Sequence, residues 1–138
     1  MTRYYEQVEM GDALDPTQKE VTDQMVLDFC QVWATGGGGG TGRFTDHEAA
    51  KKEGLPGAIV PGIMSMSYIA QYLTGWADGG QLKKLDVVFR QPVLHPQTIS
   101  LVGVITDKNQ VECDVYIQNS TGDRLVGGKA TVVLPARR

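Results

Sequence analysis

The 138-residue chain is poor in the side chains that most metal and redox sites require, with only two cysteines and two histidines. Cys30 and Cys113 lie far apart and form neither a CxxC pair nor a Cys/His ligand spacing. This pattern argues against a metal site or a redox role. Both cysteines stand inside apolar stretches, so we expect buried free thiols.

Basic charge and long apolar runs are also scarce. Thirteen basic residues against 16 acidic ones give a net charge of -3, and the charges are scattered along the chain. Nucleic acid is therefore not an expected partner. No apolar run reaches the roughly 18 residues that span a bilayer, and Arg3, Glu6 and Glu9 stand where a signal peptide would be apolar. We expect a cytoplasmic protein without membrane contact.

Hydrophobic residues make up 41% of the chain, which is enough to build the core of a single domain over residues 1–138. In its first part, apolar residues recur at helical spacing from Met25 to Trp33, with Thr22 or Asp23 as the cap. The glycine-rich residues 36–42 that follow predict a loop, because glycine loses the most backbone entropy on ordering.

Two further helices and a series of strands are predicted after this loop. Residues 46–54 begin with acids and end with lysines and a glycine, which is typical of a short helix. Residues 62–73 are apolar around most of a helix, which predicts a helix surrounded by protein. Alternating patterns predict strands at Lys84–Arg90, Thr98–Thr106, Val111–Gln118 and Arg124–Leu134. The predicted fold class is α+β, a curved antiparallel meander wrapped around the long central helix.

Several short strings occur in a specific order along the chain. They are TDHEAA at 45–50, IVPGIMSM at 59–66, VFRQPV at 88–93 and TGD at 121–123. Their order and spacing resemble the MaoC-like acyl-CoA hydratases and dehydratases, which have the hotdog fold. Residues 71–77, QYLTGWA, also look like the small MaoC-type subunits of heteromeric hydratases, including those acting in steroid side-chain degradation.

This resemblance implies several properties that the residue patterns alone do not. It implies a hotdog fold and a role in fatty acid or steroid metabolism. The implied ligand is an acyl-CoA or an acyl-carrier thioester, without a cofactor or metal. The implied partner is a second hotdog chain in a homo- or hetero-oligomer, and pairing would extend the sheet edge to edge.

The chain departs from the family at the catalytic positions. Active members carry Asp-x-Asn-Pro-x-His before the short helix, and its Asp and His activate the water that adds to an enoyl thioester. Matching outward from Asp46 puts Gly39 at the Asp, Thr41 at the Asn, Gly42 at the Pro and Phe44 at the His. Neither glycine nor phenylalanine transfers protons, so the resemblance leaves open whether this chain is an enzyme.

The start of the central helix retains a functional element. Backbone N–H groups of Gly62 and Ile63 would polarise a thioester carbonyl in the manner of an oxyanion hole. The alternative is that Pro61-Gly62 is simply a good helix start, with Pro61 standing where the family commonly has His. Asp46 and His47 are the candidates for a replacement dyad, although both also suit a solvent-facing first turn.

The remaining candidates each have a structural alternative. His95 precedes Pro96 in a strand connection and is expected to be a solvated loop residue. Core packing is the alternative for the residues predicted to line an acyl pocket, which are Phe44, Met64 and Tyr68. Solvated surface charge is the alternative for the residues predicted to contact the phosphates of coenzyme A, which are Lys83, Lys84 and Arg90.

Three functional hypotheses follow from these observations. The chain is an accessory subunit that shapes the acyl-thioester pocket of a heteromeric enoyl-CoA hydratase. Alternatively, it is an active hydratase or dehydratase that uses replacement residues. In the third hypothesis it is a stand-alone acyl-CoA-binding or thioesterase-like hotdog protein. The missing Asp/His dyad favours the first hypothesis.

Overall fold

The structure, a computed structural model, describes residues 2–33 and 42–137 and contains three α-helices and five β-strands within them. The helices are α1 (Asp23–Trp33), α2 (His47–Lys52) and α3 (Gly62–Trp76). The strands are β1 (Ala13–Val21), β2 (Gln81–Phe89), β3 (Gln97–Asp107), β4 (Val111–Gln118) and β5 (Arg124–Val133). No helix in these two ranges combines the length and the hydropathy needed to cross a membrane.

The five strands form one antiparallel sheet with the order β1-β3-β4-β5-β2. Helix α3 packs on this sheet with one half of its surface, while Ile63, Met66 and most of the opposite half are exposed. The prediction of a helix surrounded by protein is therefore wrong for this chain. The residues that the helix buries are Met64, Ser65, Tyr68, Ile69, Tyr72, Leu73 and Trp76. The predicted α+β class, with a curved antiparallel sheet around a long helix, is confirmed.

Strand β1 is absent from the sequence-based prediction, which has helices first and strands afterwards. Its burial does not alternate, because only Leu14 and Val21 are buried among its nine residues. It lies at the edge of the sheet, and its register with β3 shifts between Leu14 and Thr17. Pro16 falls inside that shift, where the missing N–H breaks no ladder hydrogen bond. An irregular edge strand of this kind has little period-two signal.

The prediction of a four-strand meander is also wrong, although its last three strands are right. Strands β3, β4 and β5 follow one another as hairpins, whereas β2 pairs with β5 at the far edge. Residues 90–96 join β2 to β3, and this connection is too long for a tight hairpin. Within it, Leu94 bridges to Ile59 and the His95 N–H donates to the carbonyl of Ala58.

The two cysteines are buried free thiols, as the sequence predicts. Cys113 lies on the inner face of β4, which alternates cleanly between buried and less buried residues. Burial, with a smaller contribution from the charge of Asp114, raises the pKa of Cys113 to about 11. Burial also raises the pKa of Cys30. Both side chains are therefore held as thiols and act as small apolar groups in the core.

The inward face of α3 supplies a direct test of the core. Ile69 is 0% exposed, so Ile69→Ala is expected to lower the free energy of unfolding by about 2–5 kcal/mol through lost burial and a residual cavity. The control is Thr74→Ala on the exposed face of the same helix, which should change it by less than about 0.5 kcal/mol. Urea denaturation at one protein concentration measures both values, and similar losses would contradict this packing.

Candidate functional site

Three ionisable side chains from separate parts of the chain converge at one side of the sheet. Asp23 begins α1, His47 begins α2, and His95 precedes β3. The Nδ1 atom of His95 lies 2.8 Å from Oδ1 of Asp23, and Nε2 of His47 lies 3.2 Å from Oδ2 of the same carboxylate. The centroids of the two imidazole rings are 5.6 Å apart. We call these three residues the Asp23 cluster.

Local sequence places the members of this cluster. Thr22 caps α1, because its hydroxyl accepts a hydrogen bond from the Met25 N–H, so Asp23 falls in the first turn. Asp46 caps α2 by accepting from the N–H groups of Glu48 and Ala49, and His47 follows it. The carboxylate of Asp46 is thus engaged in starting a helix, which removes its support as a replacement catalytic acid.

The hydrogen bonds define where the protons of the cluster lie. The Ala58 N–H donates to Nδ1 of His47, so the proton of the neutral ring is on Nε2 and faces Asp23. Both nitrogens of His95 face acceptors, the Asp23 carboxylate and the carbonyl oxygen of Phe44 at 2.6 Å. An N–H on Nδ1 donates to the carboxylate, and an N–H on Nε2 donates to the carbonyl. The cluster is therefore a carboxylate that accepts from two imidazoles.

The pKa of Asp23 reflects two opposing effects. Partial burial acts to raise it, but the hydrogen bonds from His95 and His47, together with their charges, lower it below the ordinary value of 3.8. The carboxylate side chain is 57% exposed, whereas the His95 side chain is 1% exposed. The ionised carboxylate at the surface thus partners a buried imidazole.

The cluster also has the spacing of a metal site, since its ligand atoms lie within 4.8 Å of one another. His95 suits such a site, because a metal-binding histidine usually donates its other N–H to a carbonyl or carboxylate. His47 does not suit it. Its Nδ1 accepts a hydrogen bond, so Nε2 carries the proton and has no lone pair for a metal. The hydrogen bonds of the Asp23 cluster therefore favour an ion-pair network over a metal site.

Two members of this cluster differ from the sequence-based prediction. His95 was expected to be a solvated loop residue, and it is instead buried against Asp23 and Phe44. Asp23 was considered only as a helix cap. The partners of these residues are distant in sequence, so no local pattern indicates the contact. His47 was expected at the surface and is half-buried.

Of the positions matched to the family's catalytic motif, Gly42 and Phe44 lie among the described residues. Phe44, at the position of the family's His, is half-buried and packs against the hydrophobic core. The Arg43 guanidinium lies 5.2 Å from the centroid of its ring. Gly39 and Thr41 lie outside the described residues, and so does the predicted loop at 36–40. The motif's last position is therefore filled by an apolar side chain.

The start of α3 leaves two backbone N–H groups ahead of its hydrogen-bond ladder. The first helical hydrogen bonds are donated by Met64 and Ser65 to the Pro61 carbonyl, so the N–H groups of Gly62 and Ile63 precede this ladder. The ring of Phe89 covers Gly62 closely. A Cβ placed on Gly62 would lie 3.1 Å from Cζ of Phe89, so a larger residue here would require the Phe89 ring to shift by a few tenths of an ångström.

The other predicted site residues do not gather around this helix start. Met64 is buried in the core, while Tyr68 lines a separate cavity beside β1. The three basic residues predicted to contact coenzyme A border three different hollows. Lys83 lies near Tyr5, Lys84 is 3.6 Å from Asp86, and Arg90 is on the outer face of the sheet. They do not form one phosphate site.

Replacing Asp23 tests the cluster. Asp23→Asn should lower the free energy of unfolding at neutral pH by about 1 kcal/mol, less than a buried charged hydrogen bond contributes, because solvent screens this exposed carboxylate. Asp28→Asn on the same helix is the control. Among residues 2–33 and 42–137, its exposed carboxylate accepts a side-chain hydrogen bond from Gln24, and we expect a change within about 0.5 kcal/mol. An equal loss in both variants would refute the cluster.

The lowered pKa of Asp23 also predicts a pH dependence. The stability contributed by a carboxyl group with a lowered folded-state pKa is complete above the ordinary value of 3.8 and is lost as the pH falls through the folded value. Below pH 3.8, the wild-type chain should therefore lose stability more steeply than Asp23→Asn. Thermal unfolding followed across the acid range measures this difference, and parallel curves would contradict it.

Comparison with known proteins places this geometry in a family. The sequence model described as MaoC like domain matches residues 44–123, more than half of the chain. No match is found among curated protein sequences.

Solved structures share the fold at low sequence identity. The R-hydratase PhaJ1 of Pseudomonas aeruginosa is 18% identical with a TM-score of 0.81, over 97% of this chain and 86% of that one. A chain of the ChsH1-ChsH2 complex from Mycobacterium tuberculosis is 16% identical with a TM-score of 0.77, and the match covers 91% of this chain and 98% of that one. A chain of the HadBC complex, a 3R-hydroxyacyl-ACP dehydratase of the same organism, is 17% identical with a TM-score of 0.64. That match covers 90% of this chain and 96% of the HadBC chain.

These similarities confirm the predicted hotdog architecture, and the family match covers the short helix, the central helix and most of the sheet. This chain therefore belongs to the MaoC-like family of hydratases and dehydratases.

Proposed function

We propose that the chain is an accessory subunit of a heteromeric acyl-thioester hydratase or dehydratase. The observation that carries this proposal is Phe44, which occupies the position of the family's catalytic His and packs into the core. A side chain without an ionisable group cannot serve as the general acid or base. The missing groups would come from a second hotdog chain that carries the Asp-x-Asn-Pro-x-His motif. Similarity to the ChsH1-ChsH2 and HadBC complexes supports a heteromer.

An exposed apolar surface supports pairing with such a chain. Phe89 is 50% exposed on the edge strand β2, and its ring contacts Gly62, the first residue of α3. Ile63, beside Gly62, is 49% exposed, and Met66 lies one turn further along the helix and is also exposed. We call Phe89, Ile63 and Met66 the β2–α3 surface. A strand from the partner, added to the free edge of β2, would cover this surface.

The role proposed for this chain is to bind and polarise the acyl thioester, from either coenzyme A or a carrier protein. The N–H groups of Gly62 and Ile63 stand at the positive end of a 15-residue helix. Donors held there stabilise the negative charge that develops on a thioester carbonyl oxygen during hydration. Because they adjoin the β2–α3 surface, a partner's acid and base would reach the same ligand.

A second candidate function is an active hydratase that uses the Asp23 cluster. The observation in its favour is the 3.2 Å contact between the carboxylate of Asp23 and the imidazole of His47, both partly open to solvent. A carboxylate and an imidazole are the groups that the family uses to activate water. This candidate predicts turnover by the isolated chain, which His47→Ala and Asp23→Asn would abolish.

The accessory proposal predicts an oligomer formed through the β2–α3 surface. Sedimentation should show a species larger than the 15.0 kDa monomer, either alone or with the partner. Phe89→Glu should dissociate it, because a buried unpaired charge opposes association. Val32→Glu, at an exposed apolar residue of α1, is the matched control and should leave assembly unchanged. The proposal would be refuted if the wild-type chain stays a monomer at micromolar concentration both alone and with the partner.

The accessory proposal further predicts that the isolated chain hydrates trans-2-enoyl-CoA extremely slowly. Positioned acids and bases each contribute about 10²–10⁴-fold, and the matched positions lack both. Native co-purification with intact mass measurement should identify a second hotdog chain with the Asp-x-Asn-Pro-x-His motif, and the reconstituted pair should be active. Turnover of tens per second by the isolated chain would favour the second candidate instead.

The carbonyl-binding role is tested in that reconstituted pair. Ile63→Pro removes one N–H in the first helical turn, where proline is tolerated, and should lower kcat by about 10²–10³-fold. Ile63→Ala keeps the N–H while removing the same side chain, so it should retain most activity. Thermal unfolding verifies that both variants fold. Equal activity of the two variants would exclude this donor from catalysis.

A further inference from the structure

A cavity of about 430 Å³ lies between the edge strand β1 and the C-terminal half of α3, apart from the helix start discussed above. Tyr68, Tyr72 and Trp76 recur every four residues on α3 and form one aromatic wall. Lys19 from β1 stands opposite, and Leu101 from β3 contributes an apolar part of the lining. The volume falls within the range of small-molecule sites.

Within this wall, the two tyrosines differ in how their hydroxyl groups are satisfied. The Tyr72 hydroxyl donates to the backbone carbonyl of Asp15 at 2.9 Å. The Tyr68 hydroxyl is buried and has no hydrogen-bond partner among residues 2–33 and 42–137. Tyr68 as a whole is 9% exposed, and burial raises its pKa, so the group remains a proton donor at neutral pH. Buried hydroxyl groups are nearly always hydrogen-bonded, so this donor calls for an acceptor.

A cation lies beside this donor. The ammonium of Lys19 is 4.7 Å from the centroid of the Tyr68 ring. No carboxylate of the described chain forms an ion pair with it. The other cation of the cavity, Arg3, is already engaged, because its Nε donates to the Trp76 carbonyl and its guanidinium stacks on the Trp76 ring. Asp15 also lines the cavity, and the pKa of Tyr72 is raised by burial and, to a smaller extent, by the charge of the Asp15 carboxylate. The unengaged positive charge is therefore at the Tyr68 end, and the aromatic wall runs about 12 Å away from it toward the acidic part of the lining.

We propose that this cavity binds a medium-chain aliphatic carboxylate, with its carboxylate held by Lys19 and the Tyr68 hydroxyl and its tail along Tyr72 and Trp76. A carboxylate supplies the acceptor that Tyr68 lacks and the negative charge that faces Lys19. The aromatic side chains and Leu101 supply the apolar contact for the tail. This site is independent of the thioester site, and its test does not require hydratase activity.

Gly75 offers a way to block the cavity without disturbing the core. It lies in the last turn of α3 and lines the cavity, and a Cβ added there would meet no atom within 4 Å. A larger side chain at this helical position also removes the conformational penalty of glycine. Gly75→Leu is therefore expected to fill the entrance and to leave the protein at least as stable.

Isothermal titration of the full chain with octanoate, and with octan-1-ol as the neutral probe, tests this site. The wild-type chain should bind octanoate at least tenfold more tightly than octan-1-ol. Lys19→Met and Tyr68→Phe should each weaken octanoate binding by about tenfold, since each removes one interaction with the charged group. Gly75→Leu should abolish binding. Lys84→Met, at an exposed lysine of β2, is the matched control and should bind as the wild type does.

The ligand-free variants provide a second measurement. Tyr68→Phe removes an unpartnered buried hydroxyl group, so its thermal midpoint should equal or exceed that of the wild type, while its binding is weaker. Failure of the wild type to bind octanoate would overturn the proposal. Equal affinity for the two probes, or full binding by a stable Gly75→Leu variant, would overturn it as well.

Discussion

The apolar circumference of α3 is the constraint on which the rest of the structure depends. A helix with apolar residues on most of its faces must be covered on several sides, because exposed apolar area is unfavourable in water. The sheet covers one side and buries Ile69 and Leu73 completely. Strand β1 closes over Tyr68 and Tyr72 only in part and leaves a cavity. At its N-terminal end, Ile63 remains exposed. These two incompletely covered regions, the cavity beside β1 and the start of α3, are where we propose ligand binding and pairing.

The segment around Phe44 is held in place by apolar contact and by a hydrogen-bond network together. Phe44 packs against the core, and His95 donates a hydrogen bond to its backbone carbonyl. His95 is in turn fixed by Asp23. The ionisable groups of this region therefore hold backbone segments together, and the Asp23 cluster links α1, α2 and the connection before β3.

How far the sequence predicts the structure depends on the range of the interactions. Strand β4 was predicted with the bounds that the structure has, because its alternation is local and regular. Helix α3 was predicted from its start at Gly62, since its apolar residues and Pro61 are local signals. Strand β1 has no such alternation, and the position of β2 beside β5 depends on a crossing connection. For the site, Gly62 and Phe44 stay predictions from motif order, whereas the contact between Asp23 and His95 has no local signal because it joins residues 72 positions apart.

The two edges of the sheet differ in their capacity to accept another strand, and this difference bears on the size of any assembly. At β1, Pro16 lacks an N–H and the ladder is interrupted between Leu14 and Thr17. At β2, the edge sequence contains no proline. The register of β2 with β5 also shifts, between Leu82 and Lys84, but of the two edge strands only β1 contains a residue that lacks an N–H group. If two chains pair through their β2 edge strands, the joined sheet has a β1 strand at each of its two ends. The ends of such a pair would therefore be poorer templates for a further strand than the β2 edge.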